Sequence, residues 1–571
     1  MKKRLISLLL VSVMLLLCFV GCAEKTGDEV KAAIGEKASA DAVTISMYLM
    51  SEKPVSKKQE ALMEEKVNEV TEGKYKIHVD LVYYTPDVYY EKLEKNLKKM
   101  NDYYSSGNVG KTEGKPVYID ENGLPMVYYP PIESFDVDIF YFGGYEKYVQ
   151  YKNAGYLKTI DAQDGSAKTL FSVINKTLKE QFFEVNGGYN AVPTNRKIGE
   201  YTYLLLNKDV LDTTKYSKDD ITSLVSENCQ DLLDIVSTNE EFEAYVPLYS
   251  SEGEINTVGV KYFGADSKGK LTNRFSVLGG TYNSAWTKGS QGAYPAMDSI
   301  FDSKNNGNFT VKEQIDILKG YSFSGYYGDK DDADKPFAVG YVKGGAEVIE
   351  QYSKDYEIVV AEAPKLDTED LYESLFGIST YGNSSKASIE ILTLLNTDED
   401  FRNLILYGVE GENYVWADSE ICDEYGNPYS VVSRQTKDPD KTYVMSALKT
   451  GNMALAYPAA GEDPMAVEHL KNQNEDLVCD YVLGFSFFEG VKSKKIDSKS
   501  FEALLKLCKK SDEIYKKIEK ASNSEELEAA WAELEALTKT AEYKAVTNTA
   551  EGSKSPLAYY KNWLADKELV K

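Results

Sequence analysis

The sequence predicts an α/β fold of two lobes built on parallel sheets, with a helical C-terminal part. Three observations carry that expectation. Residues 43–150 alternate strand and helix patterns three times over, which calls for a parallel sheet with crossover helices. The chain is 571 residues long, more than a single hydrophobic core usually grows to. Beyond residue 498 the apolar residues recur at helical spacing only.

Val43–Leu49 reads as the first strand, and Pro54 suits the first position of a helix. Val55, Leu62, Met63, Val67 and Val70 give that helix its apolar face, and Gly73 suits its C-cap. Tyr75–Tyr84 is a second strand, with Ile77, Val79 and Leu81 alternating against polar neighbours. Pro86 opens a helix to about Tyr104. Ser105–Pro131 reads as an insertion with a hairpin turning at Glu121, Asn122 and Gly123. Val137–Phe142 is the third strand, then come Gly143, Gly144 and a helix from Tyr145. In such sheets ligands sit at the carboxyl ends of the strands, here the loops 50–53, 83–87 and 143–147.

Gly187 and Gly188 precede the stretch AVPTNRKIGEYTYLLLNKDVL, residues 191–211. Its apolar run Tyr201–Leu206 reads as a buried strand, with a helix starting after Asn207. Residues 211–361 are rich in Gly, Ser and Tyr, and a Gly-rich loop at 278–286 carries Trp286. Glu357–Ala363 reads as a return strand. Near the C-terminus Phe501, Leu504, Leu505, Cys508, Tyr515 and Ile518 share one helical face. Ser522 and Glu525 read as the capping box of a second helix bearing Leu527, Trp531 and Leu534.

The first residues read as a targeting segment. Lys2, Lys3 and Arg4 precede an apolar run from Leu5 to Val20, then Gly21 and Cys22. This start resembles a bacterial lipoprotein signal, which implies cleavage after residue 21 and lipid on the Cys22 sulfur. It departs from that pattern at Phe19 and Val20, and ordinary secretion is the plainer alternative. Residues 22–41 read as a flexible tether. The net charge of −26 becomes −26 − 3 = −29 without the signal, which repels nucleic acid and anionic lipid headgroups. Cys229, Cys422, Cys479 and Cys508 form no C-x-x-C pair, and their spacing leaves the disulfide state open.

Catalytic signatures are scarce. The two histidines, His78 and His469, have no second His or Cys at ligand spacing. GADSKGKL at 264–271 nearly fits a phosphate-binding loop, but Leu271 replaces the hydroxyl residue that holds magnesium. Asp302, Asn306, Asn308 and Glu313 follow the rhythm of a calcium loop, although Lys304 stands where an oxygen ligand belongs. The plainer reading there is a turn leading into a helix at 311–319.

Four blocks resemble the carbohydrate-type solute-binding receptors of ABC importers, the maltose-binding-protein-like family. They are the 191–211 stretch, DIFYFGGYEKY with AGYLKTID, residues 376–416, and GFSF at 484–487. The family's acid-proline continuation after GFSF is replaced by Glu489, Gly490, Val491 and Lys492. The resemblance implies the two-lobed, type II periplasmic-binding-protein-like fold. Lobe 1 would be residues 42–198 with 362–416, and lobe 2 residues 199–361 with 417–571. It further implies a monomeric, non-enzymatic receptor without a cofactor, lipid-anchored on the extracellular face of the bacterial cytoplasmic membrane. Its partners would be a carbohydrate and the permease subunits, with no nucleic acid and no membrane contact except the anchor.

A sugar ring offers an apolar face to aromatic side chains and a rim of hydroxyls to polar ones. On that ground and the resemblance, the expected ligand residues are Gly143, Gly144, Tyr145, Asn195, Trp286, Glu410, Tyr414 and Trp416. For Trp286 and Trp416 the residues allow cleft and core alike. Asn195 reads equally as a turn former, and Glu410 as the neighbour of a helix C-cap. A secreted carbohydrate-active hydrolase and a peptide receptor are the alternative functions.

Overall fold

The computed structural model describes residues 42–105, 118–119, 125–126, 136–251, 260–262, 264–265, 271–272, 277–281, 298–301, 304–305, 309–328, 335–423, 425–480 and 483–566. The chain forms two compact units. Residues up to Arg196 and Leu371–Val467 make the first; Lys197–Asp370 and the residues from Glu468 make the second.

The first unit opens with strand β1 (Val43–Met50), helix α1 (Lys57–Tyr75), β2 (Ile77–Tyr84), α2 (Pro86–Ser105), β3 (Ile139–Phe142) and α3 (Tyr145–Asn153). Two-residue strands at Tyr118–Ile119 and Pro125–Met126 pair antiparallel in the 105–131 insertion. Helix α1 starts three residues after Pro54, because the Ser56 side chain accepts the Gln59 N–H. It also outruns Gly73: Lys76 takes the left-handed conformation, and its N–H closes on the Glu72 carbonyl. β1 pairs parallel with both β2 and β3. Its residues Ile45–Met50 are buried on both faces, as a parallel strand covered by helices requires.

The short strand β4 (Val192–Pro193) ends this part of the first unit, and β5 (Tyr201–Asn207) begins the second. There β6 (Val246–Ser250), helix α4 (Val311–Phe323), β7 (Phe337–Gly344) and β8 (Tyr356–Glu362) follow. The strand order is β8, β5, β7, β6. β5 runs antiparallel to both neighbours and only β6 and β7 are parallel, so this sheet is mixed rather than the parallel one expected. Alternation splits β5 between two cores. Leu204 and Leu206 face a core with Leu232, Leu248 and Leu318, whereas Tyr201, Tyr203 and Leu205 face one with Phe337 and Tyr356.

The chain then rejoins the first unit with β9 (Leu375–Ile378), α5 (Ser385–Thr397), α6 (Glu399–Tyr407), β10 (Tyr414–Cys422) and β11 (Pro428–Arg434). The first sheet has the order β2, β1, β3, β9, β4, and β9 is antiparallel to β3 and β4. Residues 417–467, expected in the second lobe, lie in the first unit. Hydrogen bonds fix them there: Glu52 N–H donates to the Val444 carbonyl at 2.8 Å, and Met453 N–H to the Asn195 carbonyl at 2.9 Å. The fully buried Arg402 of α6 adds donations to the Asn452 and Ala447 carbonyls, both at 2.9 Å.

Asp138 ties the sheet to α5. It is fully buried and accepts the N–H groups of Ser46 and Asn383, at the start of the turn that caps α5 with Ser384. Gly382 has no side chain for this reason, since a Cβ there would lie 2.5 Å from the Asp138 carboxylate.

The C-terminal part of the second unit is helical: α7 (Ser498–Lys520), α8 (Ser524–Ala536) and α9 (Pro556–Asp566). Leu504, Leu507, Cys508, Trp531, Leu534 and Tyr560 share a core with Leu278 and with Ile315 of α4. Trp531 is 1% exposed, and its indole N–H donates to Asp316 at 2.7 Å. The cap of α8 stands one residue beyond the expected pair. Asn523 accepts the Glu526 N–H and Glu526 accepts the Ser522 N–H, because Asn at that position reaches the third helical N–H directly. Cys229 and Cys508 are buried, Cys479 is half-buried and Cys422 is exposed.

Candidate functional site

The carboxyl end of β3 is shaped by two glycines and the residues that precede β9. A Cβ on Gly143 would stand 2.3 Å from the Glu373 carbonyl oxygen and 3.2 Å from the Tyr141 hydroxyl. Gly144 has φ of 95°, a conformation that favours glycine, and its N–H donates to the Tyr372 carbonyl at 2.6 Å. The chain can therefore enter α3 tightly, with Tyr145 half-buried at its first position. The Tyr145 ring meets Tyr372 edge to face, with centroids 5.2 Å apart.

Polar groups gather at the same turn. Arg196 is 3% exposed and its Nε–H donates to the Glu373 carboxylate at 2.5 Å, while half of the Glu373 side chain is open to solvent. Burial, followed by the nearby Tyr90 and Glu373, holds the Tyr141 phenol above its usual range; Arg196 and Glu52 act on it too. Tyr141 thus stays a protonated donor at neutral pH. Tyr90 is half-buried, and Lys147 lies 4.8 Å over its ring. Donors, an acceptor carboxylate and the half-buried rings of Tyr90 and Tyr145 are collected at one turn, which suits a polyhydroxylated ligand.

The sequence reading had Gly143, Gly144 and Tyr145 here but missed Tyr90, Tyr141, Arg196, Tyr372 and Glu373. Arg196 stands one residue from Asn195, and its internal position beside an exposed acid was a signal only in three dimensions. Asn195 belongs to the scaffold. It is 7% exposed, its amide donates to the Val173 carbonyl and its oxygen accepts the Asn175 N–H, each at 2.7 Å.

Glu410, Tyr414 and Trp416 do come together, in a second feature of the same unit. A groove of about 490 Å³ runs between Lys66, Glu69 and Val70 of α1 and the residues 398–410, with Tyr414 and Tyr457 in its wall. Gly143, Gly144 and Tyr145 are not among its lining residues. Tyr414 is 8% exposed. Trp416 is 40% exposed on β10, packs on Tyr457 at 5.1 Å, and so is not a core residue. Glu410 is exposed.

Cys22, Trp286, Asp302, Asn306 and Asn308 lie outside the described residues. Glu313, the fourth residue of the candidate calcium loop, is the third residue of α4. Its carboxylate accepts the Thr310 N–H at 2.7 Å while Thr310 caps the Glu313 N–H, so this acid closes a capping box. Among the described residues, no helix is long and apolar enough to cross a membrane.

No protein-family model matches the chain, and no curated protein matches it. Solved structures do. The N-glycan transport solute binding protein (NgtS) from Streptococcus pneumoniae aligns over 92% of this chain and 100% of its own, at 17% identity and a TM-score of 0.50. An extracellular solute-binding protein from Bifidobacterium longum subsp. infantis aligns over 89% and 98%, at 13% identity and a TM-score of 0.44. The chain has the α/β fold of the type II solute-binding proteins.

Proposed function

We propose that this protein is the substrate-binding receptor of an ABC importer and that it captures a sugar or oligosaccharide. The observation that carries the proposal is the turn at the carboxyl end of β3. On a solute-binding fold, Tyr141 lies near the Arg196–Glu373 pair and Tyr90, and Tyr145 packs on Tyr372 at the same turn, at the strand end where ligands of such sheets are held. The phenols and the paired acid would bind hydroxyls, and the tyrosine rings would cover C–H faces. NgtS, which shares the fold, is described as transporting N-glycan; a glycan ligand is the corresponding proposal for this chain. The targeting start adds a lipid anchor on Cys22, at the extracellular face of the cytoplasmic membrane, with permease subunits as partners. Gly143 and Gly144 shape the site, and Glu410, Tyr414 and Trp416 add a second aromatic surface for longer ligands.

A thermal-shift screen over oligosaccharides and short peptides tests this reading. Ligand at a hundredfold above its Kd stabilises by about 2.7 kcal/mol, enough to move Tm by several degrees. An oligosaccharide should raise Tm and be recovered intact after incubation. Peptides alone raising Tm, or cleavage of the sugar, would replace the proposal with a peptide receptor or a hydrolase.

A further inference from the structure

Away from that turn, α1 and the edge strand β2 bring ionisable groups into the protein interior. His78 of β2 is 3% exposed. Asp80, two residues on, projects from the same face of the strand. Helix α1 lies along β2 and supplies Glu64 and Glu72. The His78 Nδ1 bonds Glu72 Oε1. Its other nitrogen, Nε2, lies 3.3 Å from Asp80 Oδ1 and 4.0 Å from Glu64 Oε1. One ligand atom each from Glu64, His78 and Asp80 falls within 4.8 Å of the others.

The independent sign is Glu64. It is 2% exposed, and its Oε1 has no hydrogen-bond partner. A buried carboxylate oxygen without a donor is costly. The imidazole does not supply one: Nδ1 faces Glu72, and Nε2 is nearer to Asp80 and beyond hydrogen-bond reach of Glu64. A protonated imidazolium would bridge Glu72 and Asp80 yet leave the Glu64 Oε1 atom without a donor.

We propose that Glu64, His78 and Asp80 form a binding site for a divalent transition-metal ion of the zinc type, with Glu72 as the positioning residue for the imidazole. Donation of Nδ1–H to Glu72 fixes the tautomer that points the Nε2 lone pair at the ion, the usual carboxylate–histidine–metal arrangement. Two ligands each about 2.1 Å from a common ion stand roughly 3.3 to 4 Å apart at open angles. One imidazole with two carboxylates suits zinc and its first-row neighbours, whereas calcium and magnesium take oxygen sets. Asp80 is on the solvent side, with 35% of its side chain exposed, so water completes the coordination there. The ion would clip α1 to the edge strand.

The test uses the full chain stripped with a chelator and titrated with zinc chloride, followed by calorimetry and by melting. The parent should bind one tight equivalent that raises Tm by a few degrees. Glu64→Gln and Asp80→Asn should each lose that equivalent and the Tm response. Cobalt(II) in the parent should give visible absorption bands that are weak or shifted in both variants. Asp80→Asn, on the exposed side, keeps the test decisive if Glu64→Gln folds poorly. Absence of tight zinc binding in the parent, or an equivalent and a Tm response untouched by both substitutions, would overturn the proposal.

Discussion

Replacing Gly143 by alanine adds one methyl group at the centre of the candidate site. The new carbon would meet the Glu373 carbonyl oxygen at 2.3 Å, roughly 1 Å short of van der Waals contact. That obstacle is backbone, so no rotamer change relieves it. The strand end or the 371–373 segment must move by a comparable amount. The same segment holds the Gly144–Tyr372 hydrogen bond at 2.6 Å and the Glu373 carboxylate on Arg196. Overpacking of this kind costs about 1–3 kcal/mol. A carboxylate displaced by roughly 1 Å should weaken ligand binding about ten- to a hundredfold, the loss of one hydrogen bond to a charged group. Gly73→Ala is the control, because nothing lies within 4 Å of its Cβ and it sits inside α1. There alanine should stabilise by about 0.5–1 kcal/mol. The assay is Tm with and without the oligosaccharide found by screening. If Gly143→Ala melted and bound like the parent, the close approach of 143 to 373, or the place of that turn in binding, would be wrong.

Trp531→Ala should cost about 3–5 kcal/mol, since the ring is buried and hydrogen-bonded to Asp316, whereas Trp416→Ala on the open strand β10 should cost clearly less; denaturant midpoints that rank the two the other way would contradict the burial. Burial pushes the Asp138 carboxyl up to about 7, against the pull of the backbone donors from Ser46 and Asn383. The native state then holds a proton that the unfolded state has released, so stability should fall as pH rises from about 4 to 7, by up to roughly 4 kcal/mol at about 1.4 kcal/mol per unit, and be flat above. Asp138→Asn removes this dependence, and a stability difference between parent and variant that stays constant across pH 4–8 would show a carboxylate ionised throughout. Cys22→Ser should release the protein to the medium or leave it unprocessed, and unchanged membrane retention on fractionation would refute lipidation there.

Local pattern determined much of this protein. The period-2 and period-3.6 runs of 43–150 gave β1, α1, β2, α2, β3 and α3 in order, since each element must present one apolar face whatever its partner. The largely apolar run Tyr201–Leu206 likewise favoured a strand covered on both faces, and the helical spacing of Trp531 favoured a core. Gly143 and Gly144 marked a tight turn. The tertiary structure alone decided which strands run antiparallel, because a strand's direction depends on where the chain returns from and not on its side chains. It placed 417–467 in the first unit through backbone hydrogen bonds, which carry no sequence signature. Cap positions shifted by one to three residues, at Ser56, Lys76 and Asn523, where several neighbouring residues can satisfy the unpaired N–H or carbonyl groups of a helix end. The Arg196–Glu373 pair joins residues 177 positions apart, and Glu64 meets His78 and Asp80 only once α1 folds onto β2. Contacts between such separated residues follow from packing as a whole, and no spacing along the chain announces them.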